Sequence, residues 1–81
     1  MTDILKPVVL ISGCSTGIGR AMALEFAGRG CKVAATARKP AAMKNLESEN
    51  ISLYPLDVTN TKSIKACIKK VNSDLGRIDI L

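Results

Sequence analysis

The chain has 81 residues, 47% apolar and 23% charged: globular in composition, less than one typical domain in length, and too short for a two-domain enzyme. Its two aromatic residues, Phe26 and Tyr54, and its lack of His exclude aromatic platforms for single-stranded nucleic acid, His-dependent triads and His-ligated zinc. The net charge of +5 comes from Lys and Arg spread along the chain, which describes a solvated basic surface compatible with an anionic small molecule rather than a nucleic-acid patch.

Taken in chain order, residues 7–12 form a short apolar run rich in β-branched residues and closed by Gly13, which predicts a strand buried on both faces. The four-residue core Val8–Ile11 is shorter than the ~7–15 residues of a secretory apolar region. No targeting segment is read here, so a cytoplasmic location is expected. No window reaches the ~18 apolar residues of a membrane span. A loop over 13–16 precedes a helix from Gly17 to about Arg29, with Ile18, Ala21, Met22, Leu24 and Gly28 as its expected apolar face and Gly30 as its end.

Lys32–Ala37 predicts a second buried strand, and Pro40 suits the first turn of a short helix through Leu46. Ile51–Leu56 predicts a third strand, with Pro55 marking a strand end or an edge. In the next helix Ile64, Cys67, Ile68, Val71 and Leu75 fall on one face and Lys62, Lys65, Lys69 and Lys70 on the other. Asn60 or Thr61 caps its start and Gly76 ends it. A fourth strand is expected from Ile78 to Leu81. The order βαβαβαβ predicts an α/β fold, a Rossmann-type doubly wound parallel sheet occupying residues 1–81 as one partial domain. Three cysteines without CxxC spacing predict reduced thiols, with Cys67 in the core and Cys14 in a packing role.

The loop between the first strand and the first helix carries the chemistry. Its glycines, Gly13, Gly17 and Gly19, have the spacing Gly-x-x-x-Gly-x-Gly. This is neither a P-loop, which would need Gly-Lys where Ile18 begins, nor the strict Gly-x-Gly-x-x-Gly, whose third glycine would fall at Met22. Gly13 turns the chain off the strand, Gly17 lets a phosphate approach the backbone, and Gly19 lets the helix pack closely on the sheet. The free N–H groups at the helix start then suit a pyrophosphate, with Ser15 and Thr16 as added hydroxyl donors.

With Ala37-Arg38 after strand two, Asp57-Val58-Thr59 after strand three and Arg77-Ile78-Asp79-Ile80-Leu81 at the end, the chain resembles the short-chain dehydrogenase/reductase family over essentially its whole length. The resemblance implies that Gly13, Ser15, Gly17, Ile18 and Gly19 wrap the pyrophosphate and the adjoining ribose of a dinucleotide cofactor. It implies that Arg38 faces the adenosine ribose, that Asp57 holds the adenine amino group and that Val58 packs near the ring. Asp57 is equally the kind of residue that closes a turn, and Arg38 the kind that is a solvated cation.

NAD-type sites carry an acid about 20 residues on, to bind the ribose 2′-OH. In the family it falls where this chain has Ala37. With Arg38 and Lys39 next to it, the expected cofactor is NADP(H) before NAD(H). Many NADP-type members carry a basic residue where this chain has Thr16. The Gly13-Cys14-Ser15 and Ala35–Arg38 wording resembles the branch with acyl-dihydroxyacetone-phosphate reductases and hydroxysteroid dehydrogenases, which implies a lipid-like carbonyl or alcohol substrate. The family's Ser and Tyr-x-x-x-Lys catalytic groups are expected downstream of Leu81, together with any homo-oligomer contacts, so no catalytic residue and no metal ligand is assigned here. Tyr54, with Val58 four residues on, reads as an apolar strand residue. A stand-alone nucleotide-binding module and an inactive truncated product are the alternatives to an oxidoreductase segment.

Overall fold

The computed structural model describes residues 7–15, 17–76 and 78. Three parallel strands, β1 (Val8–Ile11), β2 (Lys32–Ala37) and β3 (Ile51–Pro55), form one sheet in the order β1-β2-β3. Val33 is level with Val9 on one side and with Ile51 on the other. Helix α1 (Gly17–Gly28) links β1 to β2, a 3-10 segment (Pro40–Leu46) links β2 to β3, and helix α2 (Thr61–Leu75) follows β3. Pro55 is the last residue of an edge strand, where its missing N–H costs no ladder bond. Of the fourth strand expected at Ile78–Leu81 only Ile78 is described, and the expectation lies outside the described residues.

Side chains alternate across the sheet, and both faces are covered. Val9, Ile11, Val33, Ala35 and Ile51 pack against Ala23 of α1 and Met43 and Leu46 of the 3-10 segment. Val8, Leu10, Ala34 and Tyr54 pack against Cys67 and Val71 of α2. Two buried faces are why the strands read as continuous apolar runs rather than as alternating ones. No helix among the described residues is long and apolar enough to cross a membrane.

The apolar face expected for α1 is corrected. Ile18, Met22 and Leu24 are 79%, 42% and 50% exposed, and Ala21 and Gly28 are exposed with them. The inward face is instead Gly19, Ala23, Phe26 and Ala27, at i, i+4, i+7 and i+8. In the described helix only Arg20 and Glu25 are charged, so hydropathy alone does not fix its rotation. The close approach at Gly19, described below, does. The Pro40–Leu46 helix is also refined: it is 3-10 and breaks at Met43 (φ −123°, ψ 25°), which drops into the core. Long 3-10 runs are uncommon because their hydrogen bonds are poorly aligned.

Helix α2 matches its pattern. Of the two capping candidates, Asn60 does the work: its side chain accepts from the N–H groups of Lys62 (2.9 Å) and Ser63 (3.2 Å). Gly76, left-handed at φ 87°, ends the helix by donating its N–H to Asn72 O.

Tyr54 is more than an apolar strand residue. Its ring is buried, and its hydroxyl donates to Asp74 Oδ2 at 3.0 Å, tying β3 to α2. Burial, with the Asp74 carboxylate as hydrogen-bond and charge partner, pushes its hydroxyl from 10.0 up to about 12. A raised pKa means that the folded state holds the proton longer than the unfolded one. The associated stability is present below pH 10 and declines between pH 10 and about 12. Tyr54→Phe is expected to cost about 1 kcal/mol at neutral pH, less than a fully buried charged bond because Asp74 is partly solvated. It should also flatten the alkaline decline, as read from urea midpoints measured at successive pH values.

Candidate functional site

In a parallel sheet the carboxyl ends of all strands open at one edge, and ligands bind there. The loops after β1, β2 and β3 meet at that edge and enclose a cleft of about 450 Å³. Its walls are Ser12, Gly13 and Ser15 from the first loop, Ala37, Arg38, Lys39 and Ala42 from the second, and Leu56 and Val58 from the third. Arg38 and Lys39 are exposed, which makes this mouth electropositive.

The first loop is anchored from below. Cys14 N–H donates to Thr36 O (2.9 Å), Thr36 Oγ1 donates to Ile11 O (2.7 Å), and Cys14 Sγ donates to the same carbonyl (3.2 Å). Thr36 and Cys14 are fully buried. Burial pushes the Cys14 thiol up, away from the reactive thiolate, so Cys14 packs as expected. Thr36 was not singled out by the sequence. Its signal is one hydroxyl inside the apolar run Lys32–Ala37.

Each glycine of the motif serves a different need. Gly13 (φ 69°) and Gly17 (φ 63°) are left-handed, a conformation that costs side-chain-bearing residues roughly 1–2 kcal/mol. A Cβ at Gly17 would meet no atom within 4 Å, so the first turn of α1 opens onto free space where a phosphate has room. A Cβ at Gly19 would fall on the carbonyl oxygen of Gly13 and lie 2.9 Å from that of Ser12, so the helix seats directly on the loop. An open helix start beside two cations fits an anionic dinucleotide.

Asp57 follows β3 and faces Arg38, with Oδ1 3.7 Å from the guanidinium Nε. The same oxygen accepts from Thr59 N–H (3.0 Å) and Thr59 Oγ1 (2.6 Å), while Asp57 N–H donates to Ser63 Oγ (2.9 Å). The Thr59 hydroxyl and amide, with Arg38 beside them, hold the Asp57 carboxyl below its usual range. The turn-closing alternative for Asp57 is thus realised in the same residue that faces Arg38 of the cleft wall. Oδ1 takes the contacts from Arg38 and Thr59.

The structure therefore brings Gly13, Ser15, Arg38 and Val58 around one cleft and joins Asp57 to it through Arg38. Gly17 opens the adjacent helix. Ile18 and Gly19 line a separate groove of about 410 Å³ running along β1 with Met22 and Phe26. Thr16 lies outside the described residues. Ser12 and Ala42 line the cleft although no feature of the sequence marks them, and Lys39, expected beside Arg38 as a second cation, lines it too. Among the described residues no group of three His, Cys, Asp or Glu side chains is placed to hold a metal.

Comparison with known proteins agrees with this geometry. The family model described as short chain dehydrogenase matches residues 7–81. A short-chain dehydrogenase/reductase of Pestalotiopsis microspora is 42% identical over 77 residues, covering 94% of this chain and 27% of that protein. A metagenomic short-chain oxidoreductase in complex with NADP superposes with a TM-score of 0.85 at 28% identity, over 93% of this chain and 37% of the other. The 3-ketoacyl-(acyl-carrier-protein) reductase of Brucella melitensis, complexed with NADH, gives a TM-score of 0.86 at 26% identity, over 93% and 32%. The chain spans about a quarter to a third of the length of the curated relatives it matches.

Proposed function

Because the chain belongs to the short-chain dehydrogenase/reductase family, we propose that its cleft holds the adenosine half of NADP(H), in preference to NAD(H), for an oxidoreductase acting on a carbonyl or alcohol. When bound, the nicotinamide of such a cofactor supplies hydride transfer. The residues present bind and orient it. Gly13 and Ser15 border the pyrophosphate path, and the first turn of α1 from Gly17 offers backbone N–H groups that have no partner within the helix. Ile18 and Gly19, which line the neighbouring groove along β1, offer the far side of the same helix start to the pyrophosphate and the adjoining ribose. Val58 provides an apolar wall for the adenine, and Asp57 an acceptor for its amino group.

The observation that carries the NADP(H) reading is the pairing of Ala37 with Arg38 and Lys39 on one wall of the cleft. No carboxylate stands at position 37 to repel a 2′-phosphate, and a guanidinium stands next to it. The resemblance of Gly13-Cys14-Ser15 and Ala35–Arg38 to the branch with acyl-dihydroxyacetone-phosphate reductases and hydroxysteroid dehydrogenases supports a lipid-like substrate. Tyr54 is not the acid of this chemistry, because its hydroxyl is committed to Asp74 on the α2 side of the sheet.

Arg38→Ala tests the reading. A hydrogen bond to a charged group contributes ~1.5–3 kcal/mol, or about ten- to a hundredfold in affinity. NADPH affinity should fall by that factor while NADH affinity changes little, as measured by fluorescence titration of both cofactors. Equal losses for the two would remove the argument for a 2′-phosphate site.

A further inference from the structure

We infer that Thr59 is a positioning residue for cofactor choice: it pins the Asp57 carboxylate, and that carboxylate holds the Arg38 guanidinium by its Nε side, with the terminal nitrogens left for the cleft. The inference rests on the reading of Arg38 given above. Arg38 is a long, 71% exposed side chain with freedom to swing into solvent. Among the described residues, the charged group that meets it is the Asp57 carboxylate. Asp57 Oδ1 is held by two bonds from Thr59, at 3.0 and 2.6 Å, and the Asp57 backbone is held by Ser63 Oγ at 2.9 Å. Leu56 N–H donates to Ala37 O at 2.9 Å, which locks the residue before Asp57 to the residue before Arg38. The two charges therefore face each other from strand ends that cannot slide apart.

The direction of approach matters. A guanidinium presents five N–H donors in a planar fork, and its terminal edge is the one that matches a phosphate bidentately. The approach of Asp57 is closest at Nε, 3.7 Å away, which leaves the terminal edge available. An anchor at Nε lowers the entropy lost when a 2′-phosphate engages the other edge. The anchor is itself solvated, so its contribution is that of an exposed ion pair, worth up to about fivefold in affinity.

The test uses the natural gene product with NADPH and NADH as probes, and Thr59→Val and Thr59→Ser as variants. Valine keeps the backbone N–H bond and the bulk but removes the hydroxyl; serine keeps the hydroxyl. Thr59→Val should lower the ratio of NADPH to NADH affinity by about two- to fivefold, and Thr59→Ser should restore it. Unfolding midpoints recorded on the same samples show that affinity is compared between folded proteins. If Thr59→Val weakens both cofactors equally, or leaves the ratio unchanged while Arg38→Ala lowers it, Thr59 is only a turn residue and the inference fails. If Arg38→Ala itself moves both cofactors alike, the 2′-phosphate reading falls first and the role of Thr59 falls with it.

Discussion

Gly19→Ala is expected to destabilise the protein by about 3 kcal/mol and to abolish dinucleotide binding, the upper end of the range for overpacking a close contact. The added methyl would land on the Gly13 carbonyl and within 2.9 Å of Ser12 O, both backbone atoms that no rotamer change can move. Either α1 lifts off the sheet or the loop after β1 shifts, and each outcome dismantles the start of the helix. Gly28→Ala is the matched control. Its Cβ would meet nothing within 4 Å, and alanine is the better helix former by up to ~1 kcal/mol. Urea unfolding and NADPH titration of the two variants should move in opposite directions in stability. A Gly19→Ala protein as stable as the parent would mean that the helix does not rest on the loop.

Met43→Ala is expected to cost ~2–5 kcal/mol, the range for deleting a buried Met side chain and leaving its cavity. Against a total stability of about 0.05–0.15 kcal/mol per residue, that is a large share. Met43 is fully buried in the core beneath the cleft, at the kink of the 3-10 segment. Met22 is 42% exposed on α1, so Met22→Ala should stay within about 0.5 kcal/mol. Comparing urea midpoints of the two methionine variants also tests the corrected rotation of α1. The reverse order of effects would return Met22 to the core and restore the face expected from hydropathy.

The strands were legible because each is a short apolar run with a clear stop, and burial on both faces makes such runs unbroken. Helix α2 was legible because its four lysines oppose its apolar residues, so the sequence carries the helix face explicitly. The three glycines were legible because their spacing, set between a strand and a helix, matches the left-handed turns at Gly13 and Gly17 and the close approach at Gly19. Helix α1 was legible as an element but not in its orientation, since a helix with so few polar residues has no unique inward side.

By itself, then, the sequence determined the order of the elements from β1 to α2, the parallel α/β class and the glycine loop after β1. Those depend on local periodicity and on backbone needs of single residues such as Gly13 and Gly17. Tertiary structure alone decided which face of α1 is buried, that Thr36 anchors the loop from β2, and that Tyr54 reaches Asp74. It alone placed Arg38 against Asp57, a partner 19 positions away. These are contacts between residues distant in the chain, and their distances are set by how the strands stack, which no local pattern encodes.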